Sequence, residues 1–358
     1  MKEAATMVVV GADVHKRTHT FVAVDEVGRE LGHKTFEATT PGHRAAVRWA
    51  RERFGVDGVE LLWAIEDCRH LSARLERDLL TAGQPVVRVP PKMMAEQRRT
   101  ARTRGKSDPI DALAVARAAQ REPDLPVATH DEVSRELKLR VDRRDDLVKQ
   151  RTATINRLLW RVHELDPAMA PPARSMHLSK HQQALAGWLG TLTGVVAEIA
   201  REELAEVIEL TCKIKAQAKT IERLVSQVAP TLLALPGAGA LSTAKIVGEA
   251  AGVTRFKSEA AFARHAGIAP IPVWSGNTAG RVRLTRSGNR QLNAAVHRIA
   301  VTQVRLEGPG RTYYENKRAE GVTPAEALRC LKRRLARIVF NHLTTDHAAS
   351  ATGLAVAA

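Results

Sequence analysis

The sequence predicts an α/β domain followed by mainly α-helical structure, and three changes of pattern along the chain support this. As far as about residue 126, short apolar runs alternate with helical patterns, which is typical of an α/β domain. From Ser134, apolar residues recur at alternating steps of four and three, which is typical of paired helices. After Pro230, turns containing Gly and Pro separate further helical segments. The predicted segments are 1–126 (α/β domain), 127–229 (linker and helical arm), 230–345 (mainly α C-terminal domain) and 346–358 (flexible tail).

The composition indicates a nucleic-acid partner. The chain of 358 residues has a formal net charge of +16, and 44% of its residues are hydrophobic, enough for substantial cores. So basic a protein favours a polyanion, either nucleic acid or an anionic membrane. No apolar run approaches the roughly 20 residues of a membrane span and the start lacks a signal-peptide pattern, so we predict a cytoplasmic protein without a membrane partner. The alternative is a generically basic protein from an arginine- and alanine-rich proteome.

The elements of the α/β domain can be followed in order. Apolar runs predict strands, and amphipathic patterns between them predict helices. The first three strands follow one another without a helix, and this opening β-meander resembles that of an RNase H-like domain. The predicted strands are 7–13, 20–25, 30–36, 60–66 and 85–89, and the predicted helices are 41–54, 71–82 and 108–121.

Four acidic residues in this domain are candidate metal ligands. Asp13 and Glu66 each end a predicted strand, whereas Asp108 and Asp111 lie three residues apart and leave the same face of a helix. Carboxylates that converge in this way hold Mg²⁺ or Mn²⁺ for chemistry on phosphates. Taken singly, each is weak evidence, because Asp108 before Pro109 is also what a simple helix cap looks like.

A basic run directly precedes the second pair of acids. It can bind the phosphates of RNA or DNA beside the metal site. The alternative is a solvated, charged loop. The residues are Arg98, Arg99, Arg102, Arg104 and Lys106.

The central segment predicts an antiparallel coiled-coil arm. The first seam comprises residues 137, 141, 144, 148, 151, 155, 158, 162 and 165, and the second comprises 207, 210, 214, 217, 221, 224 and 228. Two ordinary core helices of a bundle are the alternative. Arg144 and Arg151 interrupt the first seam and mark either its register or a ligand contact.

The C-terminal domain is predicted to be mainly helical. Residues 235–244 suggest a helix-hairpin-helix-like element whose backbone N–H groups could bind a phosphate; a plain interhelical turn is the alternative. Residues 267–286 are predicted to be irregular, and the predicted helices are 256–266, 288–304 and 324–343.

A serine in the irregular segment is a candidate nucleophile. Ser275 lies between Trp274 and Gly276, and three arginines follow it: Arg281, Arg283 and Arg286. A serine hydroxyl can attack a phosphodiester, and arginines can stabilise the pentavalent transition state. From chemistry alone the signal is weak, because a serine beside a glycine usually marks a turn.

Two sets of motifs carry a family resemblance over residues 7–343. They are GADVHK at 11–16, AIE at 64–66, KSDPIDA at 106–112, LPG at 235–237, FARHAGIAP at 262–270, SG at 275–276 and LTRSGN at 284–289. In this order they resemble the DEDD, RuvC-like transposases of the IS-one-ten and IS-eleven-eleven insertion sequences, a group that includes bridge-RNA-guided recombinases.

The resemblance implies residue roles that composition does not. Asp13, Glu66, Asp108 and Asp111 would coordinate Mg²⁺, and Ser275 would attack DNA to form a covalent phosphoserine link. The family's site is composite, with the acids of one subunit facing the serine of another. Residues 283–286 read RLTR where the family has a His-Ile-Thr-Lys-like segment, which largely keeps the charge. Ser287 is a rival nucleophile, although its place before a glycine fits a helix-entry turn.

The resemblance also implies partners. A dimer of dimers would carry an RNA encoded by its own element, whose pairing with donor and target DNA selects the sequence, and would act at the bacterial nucleoid. Two alternatives stay open: a RuvC-like endonuclease that cuts branched DNA with the acids alone, and an inactive scaffold that binds RNA and DNA.

Overall fold

The contacts of this computed structural model divide the chain into two compact units. The first unit comprises Met1–Asp131, Ala251–Asn293 and Lys332–Phe340, and the second comprises Glu132–Ala250, Ala294–Leu331 and Asn341–Ala358. Both are discontinuous in sequence, whereas the predicted segments follow the chain; those boundaries stay predictions. The structure describes residues 7–55, 58–66, 69–90, 93–94, 107–122, 125–129, 131–280, 282–284 and 288–357. Within these ranges, no helix has the length and apolarity that a membrane span requires.

The first unit contains a five-stranded mixed sheet. The elements are β1 (Met7–Val14), β2 (Thr18–Val24), β3 (Glu30–Glu37), α1 (Thr40–Phe54), β4 (Glu60–Glu66), α2 (Arg69–Thr81), β5 (Val86–Val89) and α3 (Asp108–Arg121). The strand order is β3-β2-β1-β4-β5, with β1–β2 and β2–β3 antiparallel and β1–β4 and β4–β5 parallel. A three-stranded meander extended by parallel strands is the arrangement expected of an RNase H-like domain, so that prediction is confirmed.

Each face of the sheet buries its own core. One core contains the aromatic residues Phe21 and Trp63, together with apolar residues of α1 and α2. The opposite core contains Val9 and Ala64, together with a row of alanines from α3. Alternation along a strand divides the side chains between these faces. Small side chains on α3 let that helix lie close to the sheet.

Gly11 is the closest point between α3 and the sheet. A Cβ added there would collide with the backbone of Ala112 and Ala116. Only glycine permits this approach of backbone to backbone. The position of α3, and of any side chain at its start, therefore depends on Gly11.

Two antiparallel helices of 34 residues each, α4 (Glu132–Leu165) and α6 (Val195–Val228), dominate the second unit. Their contacts show that the two helices run in opposite directions. Arg151 Nη1 of α4 donates to Thr211 Oγ1 of α6 at 3.3 Å, and the later residue Arg157 of α4 donates from Nε to Oε1 of the earlier residue Glu203 of α6 at 3.2 Å. The helices of this part, in order, are α4 (Glu132–Leu165), α5 (Ser179–Leu189), α6 (Val195–Val228), α7 (Pro230–Leu233) and α8 (Ala240–Ala250). The sequence did not predict α5.

The two long helices also pack against other helices, so a coiled coil is not confirmed. At one end, Leu158 of α4 shares a core with Leu189 of α5. At the other end, Leu137 of α4 shares a core with Ile221 of α6 and Ala244 of α8. The predicted seams are buried at these places, yet a small bundle explains the burial as well as a coiled coil does.

The remaining elements include a small β-hairpin and four helices. They are α9 (Glu259–His265), β6 (Pro270–Pro272), β7 (Val282–Leu284), α10 (Arg290–Arg305), α11 (Pro309–Ala319) and α12 (Pro324–Ala357). The sequence predicted irregular chain where β6 and β7 pair, and it did not predict α11.

The helix α12 continues to Ala357, within the predicted flexible tail of residues 346–358, whose flexibility stays a prediction. Asp346 is buried and accepts backbone N–H bonds from Thr231 at 3.0 Å and Leu232 at 3.2 Å, at the start of α7. A carboxylate at a helix N-terminus is favourable. These bonds therefore attach α12, at Asp346, to the start of α7.

The predicted hairpin at residues 235–244 is a turn between α7 and α8. Gly237 has a φ of +82°, and Gln303 of α10 donates to the carbonyl of Pro236 at 2.8 Å. The helix before this turn, α7, has only four residues, which is short for the first helix of such an element. The helix-hairpin-helix-like element therefore remains a prediction.

Candidate functional site

Strand register places two of the predicted acids at one edge of the sheet. The parallel strands β1 and β4 pair Ala12 with Ile65, so Asp13 and Glu66 are the next residues on neighbouring strands. Val9 and Gly11 of β1 face α3, and Asp13 shares their face by the two-residue period. The same period places Glu66 on that face through Ala64.

The first turn of α3 supplies the other two acids. Ser107 is the N-cap residue, with extended backbone, and Pro109 follows in the first turn. Asp108 and Asp111 are thus inside the helix, and the alternative of Asp108 as a simple cap does not hold. Negative side chains are stabilised at a helix N-terminus. Gly11 brings this turn close to the end of β1.

Asp13, His15 and Asp108 form a cluster that can hold a metal ion, here called the metal-ligand cluster. One potential ligand atom from each residue lies within 4.8 Å of the other two. His15 Nε2 donates to Asp13 Oδ2 at 2.9 Å and lies 3.6 Å from Asp108 Oδ1. The side chains of His15 and Asp108 are both 53% exposed, so an ion has access from solvent.

Sequence reasoning missed His15 as a site residue. Its signal was its spacing: His15 follows Asp13 by two residues, and side chains two apart along an extended chain leave the same face. The predicted ligands were all carboxylates, because Mg²⁺ prefers oxygen ligands, and the imidazole of His15 was not included.

Burial raises the pKa of Asp13 above its ordinary value, and the negative charges of Asp111 and Asp108 raise that pKa further. His15 opposes these effects through its hydrogen bond and charge. A bound cation offsets the repulsion between carboxylates that are held together at a partly buried site. The residues present therefore fit a divalent ion with oxygen ligands.

The four predicted acids do not all join one cluster. Asp13 and Asp108 belong to the cluster, and Asp111, one turn along α3, raises the pKa of Asp13 through its charge. Neither Glu66 nor Asp111 belongs to the described group whose ligand atoms all lie within 4.8 Å of one another. Glu66 is half-buried at the end of β4. The binding of one ion by all four acids stays a prediction.

The predicted nucleophile lies on a separate element. Ser275 is exposed in the loop between β6 and β7, where Trp274 is 54% exposed and Gly276 has a φ of +48°. Arg283 is exposed on β7 and pairs with Ile271 of β6. The meeting of Ser275 with the acids stays a prediction. Arg98, Arg99, Arg102, Arg104, Lys106, Arg281 and Arg286 lie outside the described residues.

Part of the C-terminal motif set has a structural role. Asn289 Oδ1 accepts from the backbone N–H groups of Gln291 and Leu292, and so caps α10. The backbone N–H of Asn289 donates to the carbonyl of His265 at 2.7 Å, which ties the start of α10 to the end of α9. Gly288 lies so close to Gly267 that a Cβ would collide with its backbone. These residues anchor the ends of the segment that carries Ser275.

Two family models match the chain. The DEDD model described as a transposase matches residues 10–165, and the model of the transposase IS116/IS110/IS902 family matches residues 229–315.

Full-length relatives are insertion-element proteins. The IS116 44.8 kDa protein of Streptomyces clavuligerus is 27% identical, with 92% of this chain and 93% of the relative covered. The IS900 42 kDa protein of Mycobacterium paratuberculosis is 26% identical, with 82% and 84% covered. Among solved structures, T. thermophilus RuvC in complex with a Holliday junction substrate is 15% identical, with a TM-score of 0.26 and with 33% of this chain and 94% of that chain covered.

Proposed function

Since the chain belongs to the IS116/IS110/IS902 family of transposases, we propose that it excises and inserts a mobile DNA element by metal-assisted serine recombination. The observation that carries the proposal is the metal-ligand cluster at the end of β1, where the start of α3 adds Asp108 and Asp111. Such a site has the ligands that phosphoryl chemistry on DNA requires.

Each predicted residue has a part in this reaction. Asp13, Glu66, Asp108 and Asp111 hold the divalent ion. Bound Mg²⁺ or Mn²⁺ neutralises and orients the scissile phosphate. The Ser275 oxygen forms a bond to phosphorus as one DNA P–O bond breaks; the leaving DNA oxygen takes up a proton and the serine proton passes to solvent.

The covalent link preserves the bond energy for religation. A hydroxyl of the new strand attacks the phosphoserine, and Ser275 leaves with its proton restored. Arg281, Arg283 and Arg286 supply positive charge to the pentavalent phosphate in both directions. The exposure of Ser275 supports this role, because a duplex must reach the nucleophile.

The proposed assembly contains RNA and more than one subunit. A net charge of +16 supports an RNA–DNA complex, and the basic run from Arg98 to Lys106 would hold phosphates near the acids. Pairing of an element-encoded bridge RNA with donor and target DNA selects the sequence. A dimer of dimers then brings Ser275 of one subunit to the acids of another.

A second candidate is a RuvC-like endonuclease that cuts DNA with the acids alone. The observation that favours it is that three potential ligands already meet within one chain. In that case Ser275 is a turn residue. Hydrolysis by water would replace the covalent link, and the product would be a free 5′-phosphate and 3′-hydroxyl. The inactive scaffold is the third candidate.

One experiment separates the candidates. Protein purified with its copurifying RNA is incubated with labelled donor and target DNA and Mg²⁺, and covalent protein–DNA adducts are resolved under denaturing conditions. Ser275→Ala should abolish the adduct and strand exchange without loss of RNA binding, whereas Ser287→Ala, the matched control, should retain both.

The other outcomes contradict the proposal. If Ser275→Ala still cleaves DNA and Asp111→Ala does not, the endonuclease is correct. If neither substitution alters recombination in cells, the protein is a scaffold.

A further inference from the structure

We propose that His15 is a nitrogen ligand of the metal site and biases that site toward Mn²⁺ over Mg²⁺. The inference rests on the proposed metal site, and it adds a residue that the four-acid pattern does not contain. Its basis is the position of one imidazole nitrogen between two of the acids.

The geometry singles out Nε2 of His15. This atom lies 2.9 Å from Asp13 Oδ2 and 3.6 Å from Asp108 Oδ1, so it faces the space between the two carboxylates. An ion held by both carboxylates would replace the Nε2–H bond to Asp13, with the imidazole neutral and its remaining proton on Nδ1, so that the Nε2 lone pair faces the ion. Glu66 and Asp111 are outside this trio, so His15 is the described residue that joins Asp13 and Asp108 in it.

The local backbone keeps His15 in this position. His15 is one residue beyond the end of β1, and its backbone N–H donates to the carbonyl of Thr18 at 3.1 Å, which closes the turn into β2. The turn leaves the side chain 53% exposed, so about half of the imidazole is open to solvent. Its contacts with Asp13 and Asp108 are the polar interactions that orient it.

The ligand set has consequences for ion choice. Mg²⁺ is bound through oxygen and retains several waters, so a nitrogen ligand contributes little to its affinity. Mn²⁺ accepts carboxylates as Mg²⁺ does, and as a transition-metal ion it also binds imidazole. A site of two or more carboxylates with one imidazole therefore takes either ion, and the imidazole strengthens the binding of Mn²⁺ more than that of Mg²⁺.

His33 provides a matched control on the same sheet. The side chain of His33 is also 53% exposed, and its Nδ1 lies 2.6 Å from Glu30 Oε1. Among the described residues, this pair does not form a group of three potential metal ligands. Substitution of His33 removes an equally exposed histidine–carboxylate pair without touching the cluster. Any general effect of losing such a pair from the sheet would be seen in both variants.

The test measures metal binding rather than activity. Full-length wild type, His15→Ala and His33→Ala are titrated with Mn²⁺ and with Mg²⁺ by calorimetry. Bound Mn²⁺ is also examined by pulsed electron paramagnetic resonance for modulation from a coordinated nitrogen. We expect His15→Ala to weaken Mn²⁺ binding by about tenfold to a hundredfold. The Mg²⁺ affinity should change far less, and the nitrogen modulation should disappear. His33→Ala should match the wild type in all three measurements.

Each other result has one meaning. If His15→Ala binds Mn²⁺ as tightly as the wild type, or more tightly, or retains the nitrogen modulation, His15 is not a ligand and the inference is wrong. Asp13→Asn distinguishes this from failure of the whole site: if Asp13→Asn also leaves both affinities unchanged, the metal site of the proposed function is itself wrong. Circular dichroism of each variant confirms that the sheet is folded.

Discussion

A buried histidine on the far face of the sheet should make the first unit labile to acid. His19 is 2% exposed, and its ring stacks on that of His43 with 5.1 Å between the centroids. Burial lowers the pKa of His19 from 6.5 to about 4, and the neighbouring His43 adds to this. Its Nδ1 has no hydrogen-bond partner among the described residues. The folded protein therefore holds this imidazole neutral.

The sign and size of the effect follow from proton linkage. Between pH 6.5 and pH 4 the unfolded chain binds a proton at His19 that the folded chain does not bind, so the free energy of unfolding falls as the pH falls. The His19 contribution is fully present above pH 6.5. A shift of about 2.5 pKa units corresponds to about 3 kcal/mol, and most of that loss occurs by pH 4.

The assay is urea unfolding of wild type and His19→Leu at pH 7, 5.5 and 4. Leucine fills a similar volume and does not titrate, so the variant should lose about 3 kcal/mol less than the wild type between pH 7 and pH 4. His33→Leu removes an exposed histidine instead and should follow the wild-type curve. Equal losses in wild type and His19→Leu would refute the reasoning.

Three further substitutions test contacts that fix the fold, each by thermal or urea unfolding. Gly11→Ala should destabilise the first unit by about 1–3 kcal/mol, because its methyl group meets the backbone of α3; unchanged stability would contradict that close approach. Asp346→Ala should cost about 1–3 kcal/mol by leaving the backbone donors of Thr231 and Leu232 without their acceptors. Asp346→Asn should recover only part of this loss, because its one side-chain oxygen can serve one of two donors that bind separate carboxylate oxygens; equal losses in the two variants would show that a single acceptor does not stabilise this contact. Arg151→Met should be neutral or stabilising. Burial lowers the pKa of the Arg151 guanidinium, the charge of Arg144 lowers that pKa further, and Nε of Arg151 is buried without a partner among the described residues. A loss above about 2 kcal/mol would show that Arg151 stabilises the helix pair.

The sheet could be predicted because its residues obey a simple period. Apolar runs located four of the five strands, and the turn at residues 26–28 located β3, whose residues are mostly exposed. The acids at the ends of β1 and β4 followed from the same apolar pattern. Alternation within β1 and β4 decides that Asp13 and Glu66 share the face of α3. The long helices could be predicted equally well, because their apolar residues recur along one side.

What escaped prediction either leaves no periodic pattern in the sequence or depends on contacts between segments far apart in it. The helix α11 has no buried residue, so it lacks the apolar stripe by which a helix is recognised. The burial of Asp346 in α12 depends on its bonds to the start of α7, more than 100 residues earlier in the chain. The hairpin around Ser275 has strands of three residues, too short for a period to be read.

The metal-ligand cluster combines both kinds of information. Asp13 and His15 are fixed by β1 and the turn after it, whereas Asp108 belongs to a helix that begins more than 90 residues later. The cluster therefore exists only when α3 lies against β1, and the contact at Gly11 governs that approach. Because an ion bound by residues of both elements stabilises the docked arrangement, Mn²⁺ should raise the unfolding temperature of the wild type. Gly11→Ala should lose this increase together with its Mn²⁺ affinity, even though it leaves every ligand in place. A Gly11→Ala variant that binds Mn²⁺ with wild-type affinity would show instead that β1 and its turn form the site without α3.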